Sequence, residues 1–111
     1  MTAIDIRDSG TKEVRRQDSA GLFIFIGADA ETEWLPPDIA RDTRGYVLTG
    51  DDLKKAGRWS HIRDPCLLET STPGVFACGD VRLSPVKRVA SAVGEGSMAI
   101  AFVHQYLAHD R

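Results

Sequence analysis

The pair Gly79-Asp80 is the place in this sequence where residue types and order best fit ligand chemistry. It follows the apolar run 75–78, which has the composition of a buried strand, and it precedes the clearest helical pattern of the chain. Ligands of open α/β sheets bind at the carboxyl ends of strands. There a glycine allows close backbone approach, an aspartate accepts hydrogen bonds from hydroxyl groups, and the N-terminus of the next helix favours negative charge. The alternative is an ordinary turn with an exposed aspartate.

Other candidate motifs indicate structure rather than chemistry. Residues 94–99 satisfy G-x-G-x-x-A, but this dinucleotide fingerprint works only directly after a strand at the opening of a helix, and here it lies inside the predicted helix. Close packing of that helix against a strand or cofactor explains its glycines better. Cys66 and Cys78 do not form a C-x-x-C pair and are expected to be buried, inert thiols. The three histidines are scattered, so we expect no metal site, and we assign no catalytic residue.

The elements that position these residues follow from hydrophobic patterning. Residues 3–18 predict an exposed β-hairpin. The most apolar run, 22–26, predicts a strand covered on both faces, as in a parallel sheet. Short strands are predicted at 46–49, 67–70 and 75–78, and residues 50–66 predict a loop with at most one helical turn. Ser84-Pro85 has the signature of a helix start, which predicts a helix over 85–108 and an α/β fold class.

Length and composition limit the classes of function. The 111 residues are enough for one small domain, and a net charge of −2 argues against a general nucleic-acid binder. No apolar run is long enough to span a membrane and no signal peptide opens the sequence, so we expect no membrane partner and a cytoplasmic location. Two cysteines are too few for a disulfide scaffold.

Residues 70–82, TSTPGVFACGDVR, resemble the second flavin-binding motif of the thioredoxin-reductase-like, FAD-dependent pyridine-nucleotide oxidoreductases. In that family T-x-x-P-G-V-[FY]-A-x-G-D precedes the last helix of the FAD domain. Residues 87–96 are similar to the family's next segment, and residues 21–27 to the strand that returns the chain from the NADPH domain to the FAD domain. The sequence departs from the pattern at Arg88, where many relatives have glutamine, and after Gly27, where Pro-Asn is missing.

The resemblance implies the C-terminal half of an FAD/NAD(P)-binding Rossmann-like domain, preceded by a β-hairpin. Residues 1–20 would be the terminal hairpin of the NADPH-binding domain, and residues 21–111 the C-terminal segment of the FAD-binding domain. The cofactor would be FAD. Asp80 would accept a hydrogen bond from a ribityl hydroxyl and Gly79 would allow close approach, while Lys87, Arg88 and Val89 would lie at the helix start near the pyrimidine edge of the flavin.

The same resemblance implies a homo-oligomeric flavoprotein that passes hydride from NADPH through FAD to a disulfide, such as that of thioredoxin, or to another acceptor. NADPH would be bound by a part of the protein outside these residues. Because the sequence has neither G-x-G-x-x-G loop for a dinucleotide nor a C-x-x-C pair, the 111-residue chain alone is expected to be inactive. The alternative is a non-catalytic, self-associating interaction module. A G-x-G-x-x-G unit encoded upstream of residue 1 would favour the flavoprotein.

Overall fold

The computed structural model describes residues 1–84 and 86–109, and regular elements occupy a minority of them. In chain order they are strands β1 (Ala3–Arg7) and β2 (Val14–Asp18), helix α1 (Asp51–Lys55), a 3₁₀ turn over Gly79–Val81, and helix α2 (Val89–His109). Turns and isolated β-bridges hold the segments between them. Within the described residues, no helix combines the length and apolar character needed to cross a membrane.

The N-terminal hairpin predicted over 3–18 is confirmed. β1 and β2 pair antiparallel, with Arg7 opposite Val14 at the closed end. The Asp8 carboxylate stabilises the connecting loop, because it accepts hydrogen bonds from the N–H groups of Gly10 (2.8 Å) and Thr11 (2.9 Å). Two strands without a covering layer bury little surface, so most side chains of the hairpin stay exposed.

Residues 22–26 are not a strand in the structure, and the prediction of a doubly covered strand there is wrong for this chain. Their backbone is irregular, and the side chains of Phe23, Phe25 and Ile26 are 83%, 91% and 90% exposed. A buried parallel strand needs hydrogen-bonded neighbours and a layer on each face. None of the described residues forms a ladder with this segment, so its apolar composition lacks the partners that would bury it.

The core lies around Ala40, Leu48 and Leu53, with Trp59 and Leu83 packed against it. α1 contributes Leu53, which is fully buried, and confirms the single helical turn predicted within 50–66. The strands predicted at 46–49, 67–70 and 75–78 are reduced to isolated bridges. Each segment is short and bounded by turns, so it forms isolated bridges where a ladder was predicted. The bridges join Val47 to Arg41 and Arg82, and Glu69 to Phe76.

A fully buried carboxylate, that of Glu69, fixes the loop that precedes residue 75. Arg63 donates to both of its oxygens, at 2.7 Å and 2.6 Å. The backbone N–H groups of Cys66 and Gly74 each donate to it at 3.0 Å. Burial alone would raise the pKa of Glu69, but the hydrogen bonds from Arg63, Gly74 and Cys66 outweigh burial and lower it.

α2 begins at Val89, later than the start predicted at Pro85, and Pro85 itself lies outside the described residues. Instead of capping a helix, the Ser84 hydroxyl accepts a hydrogen bond from the N–H of Val86 at 3.2 Å. The Lys87 ammonium group donates back to the carbonyl of Arg82 at 2.6 Å. These local bonds hold residues 86–88 as a non-helical link, and the helix starts only after it.

α2 packs on the segment before the 3₁₀ turn through aromatic contacts. The Phe76 ring lies 6.3 Å from that of Phe102 and 6.5 Å from that of Tyr106, measured between centroids. Gly74 adopts φ +80°, and an added Cβ would lie 2.7 Å from the Tyr106 ring, so only glycine fits there. The close approach expected at Gly94 and the neighbouring glycine 96 is not found, because an added Cβ at either would meet nothing within 4 Å among the described residues.

Candidate functional site

The 3₁₀ turn over Gly79–Val81 presents Asp80 to solvent. Cys78 before it is extended, and Gly79 then takes φ +81°, a conformation that reverses the chain direction and favours glycine. The turn closes with a hydrogen bond from the Arg82 N–H to the Gly79 carbonyl at 3.1 Å. Asp80 is exposed, and no donor in the described part of the chain reaches its carboxylate. Its oxygens are therefore open to an external hydrogen-bond donor.

A partly buried ion pair, between Arg82 and Glu95 of α2, contacts this turn. The Arg82 Nη2 lies 2.7 Å from Glu95 Oε1 and its Nε 3.3 Å from Oε2, and each side chain is 14% exposed. Glu95 Oε2 also accepts the Gly79 N–H at 2.7 Å. The hydrogen bond from Arg82 is the main cause that lowers the pKa of Glu95; burial opposes it and the Gly79 N–H adds to it. Glu95 is thus ionised at neutral pH.

Lys87 connects the turn to a neighbouring aromatic ring. Its ammonium group donates to the carbonyl oxygens of Asp80 (2.9 Å) and Arg82 (2.6 Å). It also lies 4.2 Å from the centroid of the Tyr46 ring, a cation–π distance. The Tyr46 hydroxyl in turn donates to the Ala28 carbonyl at 3.2 Å. Lys87 is therefore engaged by this chain's own groups, and it brings positive charge close to Asp80.

Arg88 and Val89 lie at the start of α2 and are exposed. The hydrogen bond from the Ala92 N–H to the Arg88 carbonyl, at 3.0 Å, is the first of the helix. The N–H groups before Ala92 in the first turn of α2 have no partner within the helix, which is the general condition of a helix N-terminus. They give this end of α2 a partial positive charge.

A cleft of about 590 Å³ opens beside the turn. Of the five residues predicted for cofactor binding, the structure places Asp80 and Lys87 in its lining, whereas Gly79, Arg88 and Val89 lie outside it. Three parts of the chain line the cleft: residues 27–31, the pair Arg44 and Tyr46, and the turn with the link that leads to α2. The lining residues are Gly27, Ala28, Asp29, Ala30, Glu31, Arg44, Tyr46, Asp80, Val81 and Lys87.

Sequence patterns missed the supporting residues of this site. The patterns indicate no role for Glu95, which lies between the two glycines of the G-x-G motif, or for Arg82 and Tyr46. The available signal was a carboxylate on the half-buried face of an otherwise apolar helix, because such a group needs a charged partner. The nearest basic side chain after the Gly-Asp pair is Arg82, which is the partner observed.

The two cysteines are free thiols and half-buried, so the burial predicted for both is only partly correct. Burial raises the pKa of the Cys66 thiol, and the neighbouring carboxylate of Glu69 adds to the effect. A raised pKa keeps the thiol protonated and less nucleophilic at neutral pH. For Cys66 this agrees with the inert character expected from the sequence.

Comparison with known proteins identifies similar chains. No protein-family model matches the sequence. Thioredoxin reductase of Chlamydia pneumoniae is 29% identical over 107 residues, which cover 96% of this chain and 30% of the relative. Alkyl hydroperoxide reductase F of Pseudomonas aeruginosa is 32% identical over 99 residues, 89% of this chain and 16% of the relative.

A solved structure gives the same result in three dimensions. The crystal structure of thioredoxin reductase from Streptococcus pyogenes superposes with a TM-score of 0.65 at 30% identity, over 97% of this chain and 30% of that one. The resemblance inferred from residues 70–82 is thus confirmed. The chain is similar over nearly its whole length to thioredoxin reductases, and it spans no more than 30% of the length of the relatives described.

Proposed function

We propose that this chain is the C-terminal segment of a thioredoxin-reductase-like flavoprotein and completes its FAD-binding domain. Residues 1–20 would be the last hairpin of the NADPH-binding domain, and residues 21–111 the closing half of a Rossmann-like FAD-binding domain. The intact protein would transfer hydride from NADPH through FAD to a disulfide, such as that of thioredoxin, or to another acceptor, in the cytoplasm. The similarity to thioredoxin reductases over nearly the whole chain supports this proposal.

The observation that carries the proposal is the position of Asp80. Its carboxylate lies at the edge of the cleft, is exposed, and has no partner in the described part of the chain. A polyhydroxylated ribityl chain offers O–H donors to such a carboxylate, and charge-assisted hydrogen bonds of this kind are strong. The residues present therefore fit FAD, which supplies the redox chemistry when it is bound while the protein positions it.

The start of α2 supports the same assignment. The N–H groups of its first turn, which have no partner within the helix, and the exposed side chain of Arg88 present positive charge at this end of α2. Such a group stabilises the negative charge that a reduced flavin ring carries. Val89 would contribute its backbone N–H. Lys87 would act differently from the sequence expectation, because its ammonium group holds the turn through two carbonyl oxygens.

The isolated 111-residue chain is expected to purify with little or no flavin and without NADPH-dependent oxidase or disulfide reductase activity. Its sequence lacks the glycine loops that hold the phosphates of a dinucleotide at a helix N-terminus, so contacts to the ribityl chain alone would not retain FAD. The absorbance spectrum of the purified chain and its NADPH consumption measure this. Stoichiometric flavin, or turnover, would contradict the expectation.

In the intact flavoprotein, Asp80→Ala is expected to weaken FAD binding by about 1.5–3 kcal/mol, or about 10- to 150-fold in Kd, because a charge-assisted hydrogen bond is lost. Asp80→Asn keeps an acceptor without the charge and should give an intermediate loss. Titration of the apoprotein with FAD measures both. Asp18→Ala, at the end of β2 and outside the cleft, is the control and should leave Kd unchanged. An unaltered Kd in Asp80→Ala would mean that Asp80 is only a turn residue.

A second candidate function is a non-catalytic module that associates with itself. The exposed apolar side chains of residues 22–26 favour it, because such a surface demands a partner. The two candidates differ in what precedes residue 1 in the encoded protein. A strand–helix unit with G-x-G-x-x-G there favours the flavoprotein, and its absence from the encoding gene favours the module.

A further inference from the structure

The ion pair between Arg82 and Glu95 is built with more connections than a simple salt bridge. Both oxygens of Glu95 are used, by two nitrogens of Arg82 and by the Gly79 N–H. The remaining nitrogen of Arg82, Nη1, donates to Thr49 Oγ1 at 3.3 Å. Burying two charges costs desolvation free energy, and the net gain in stability over apolar residues of similar size is small. A connected pair of this kind is better explained by the geometry that it imposes.

That geometry concerns the peptide unit between Cys78 and Gly79, one residue before Asp80. Glu95 Oε2 accepts the Gly79 N–H at 2.7 Å, and neither residue lines the cleft. After Asp80, the Val47 N–H donates to the Val81 carbonyl at 2.9 Å. The backbone of Asp80 is thus fixed before and after the residue, while its carboxylate stays open to the cleft.

We infer that Glu95, oriented by Arg82, is a positioning residue for the flavin site: it fixes the Cys78–Gly79 peptide, just before Asp80, and so the direction in which Asp80 presents its carboxylate. This inference rests on the proposed function. Neither Glu95 nor Arg82 lines the cleft, so Glu95 acts through Asp80 and does not touch the ligand. The ionised state of Glu95 at neutral pH is consistent with this role, because both oxygens of a carboxylate accept freely, whereas one oxygen of a carboxylic acid carries a proton.

A double-mutant cycle in the intact flavoprotein tests the inference. Glu95→Ala is expected to raise the Kd for FAD about tenfold, since it frees the Cys78–Gly79 peptide just before Asp80. In the Asp80→Ala background the same substitution should change Kd less than about twofold, because the group through which Glu95 acts is gone. A purely structural role predicts the same loss in both backgrounds, so additive losses would overturn the inference.

Two further variants keep the test decisive. If Glu95→Ala does not fold, the cycle is run with Glu95→Gln. Glutamine keeps the size and shape of the side chain but removes its charge, which weakens the interaction with Arg82. Glu13→Gln, an exposed glutamate of the hairpin loop, is the matched control and should leave Kd unchanged. If Asp80→Ala weakens FAD binding and neither Glu95 variant does, the inference fails alone. If Asp80→Ala has no effect, the proposed role of Asp80 and this inference both fail.

Discussion

Arg63→Met is expected to lower the free energy of unfolding of the 111-residue chain by about 3–5 kcal/mol at neutral pH. The substitution leaves the carboxylate of Glu69 fully buried with only two backbone N–H donors, from Cys66 and Gly74. Methionine keeps the packing of the arginine stem, so the loss reports the missing charge. Because the Arg63 side chain is 45% exposed and so partly solvated, we expect the lower end of this range.

The pH dependence of this variant should be opposite to that of the unmodified chain. In the unmodified chain the pKa of Glu69 is lowered, so its contribution to stability is present above the unfolded pKa of about 4.3 and is lost as the pH falls through the folded pKa. Without Arg63, burial dominates and raises the pKa of Glu69. The variant should then regain stability as the pH falls from 7 towards 5, because the buried group becomes neutral.

Urea unfolding followed by circular dichroism, at one fixed protein concentration, measures both effects. The control is Arg16→Met, which removes an ion pair with Asp5 in which both side chains are mostly exposed, and which should change stability little. Arg63→Met combined with Glu69→Met should recover most of the loss, since no charge is left buried. A small loss in Arg63→Met with an unchanged pH profile would show that Glu69 does not depend on Arg63.

The local features of the site could be predicted from the sequence to the extent that they depend on neighbouring residues. The Gly79-Asp80 turn is fixed by glycine's access to positive φ, and that property is visible in one residue. The pairing of Arg82 with Glu95 depends on how α2 crosses the turn, which spacing alone does not specify. The start of α2 was missed because Lys87 folds back onto the turn carbonyls, a tertiary contact that overrides the helix signal of Ser84-Pro85.

The fold was predicted best where a segment contains its own partner. Both strands of the hairpin lie within residues 3–18, and α1 is a single helical turn that buries Leu53. The predictions of the hairpin and of the helical turn were therefore confirmed. The apolar composition of residues 22–26 led to a wrong prediction of a buried strand. A parallel strand pairs with residues far away in the sequence, which the composition of the segment itself does not reveal. The apolar pattern of residues 22–26 is typical of a buried strand, but the described residues leave these side chains exposed.

The chain exposes more surface than a compact domain of the same size. Its radius of gyration is 20.3 Å, against about 13 Å for a compact domain of this length. The accessible surface of 8,517 Å² exceeds by roughly 2,500 Å² the area of about 6,000 Å² typical of a folded protein of this mass. A standard protein–protein interface buries about 1,600 Å² in total. The excess is therefore large enough for a stable interface, and residues 22–26 supply an unbroken run of five exposed apolar side chains.

We therefore expect the isolated chain to form a homodimer or a larger assembly in solution, in which residues 22–26 are buried between copies. Burying several hundred Å² of apolar surface at about 25 cal/mol per Å² is worth several kcal/mol, comparable with the stability of a small domain.

Light scattering measures the mass of the assembly in dilute solution. Phe23→Asp with Phe25→Asp places two charges within this apolar run and should shift the population to monomer. Ile62→Asp, at an exposed loop position outside this segment, is the matched control and should leave the assembly intact. A stable monomer of 12.1 kDa that unfolds cooperatively would show that the exposed segment needs no partner.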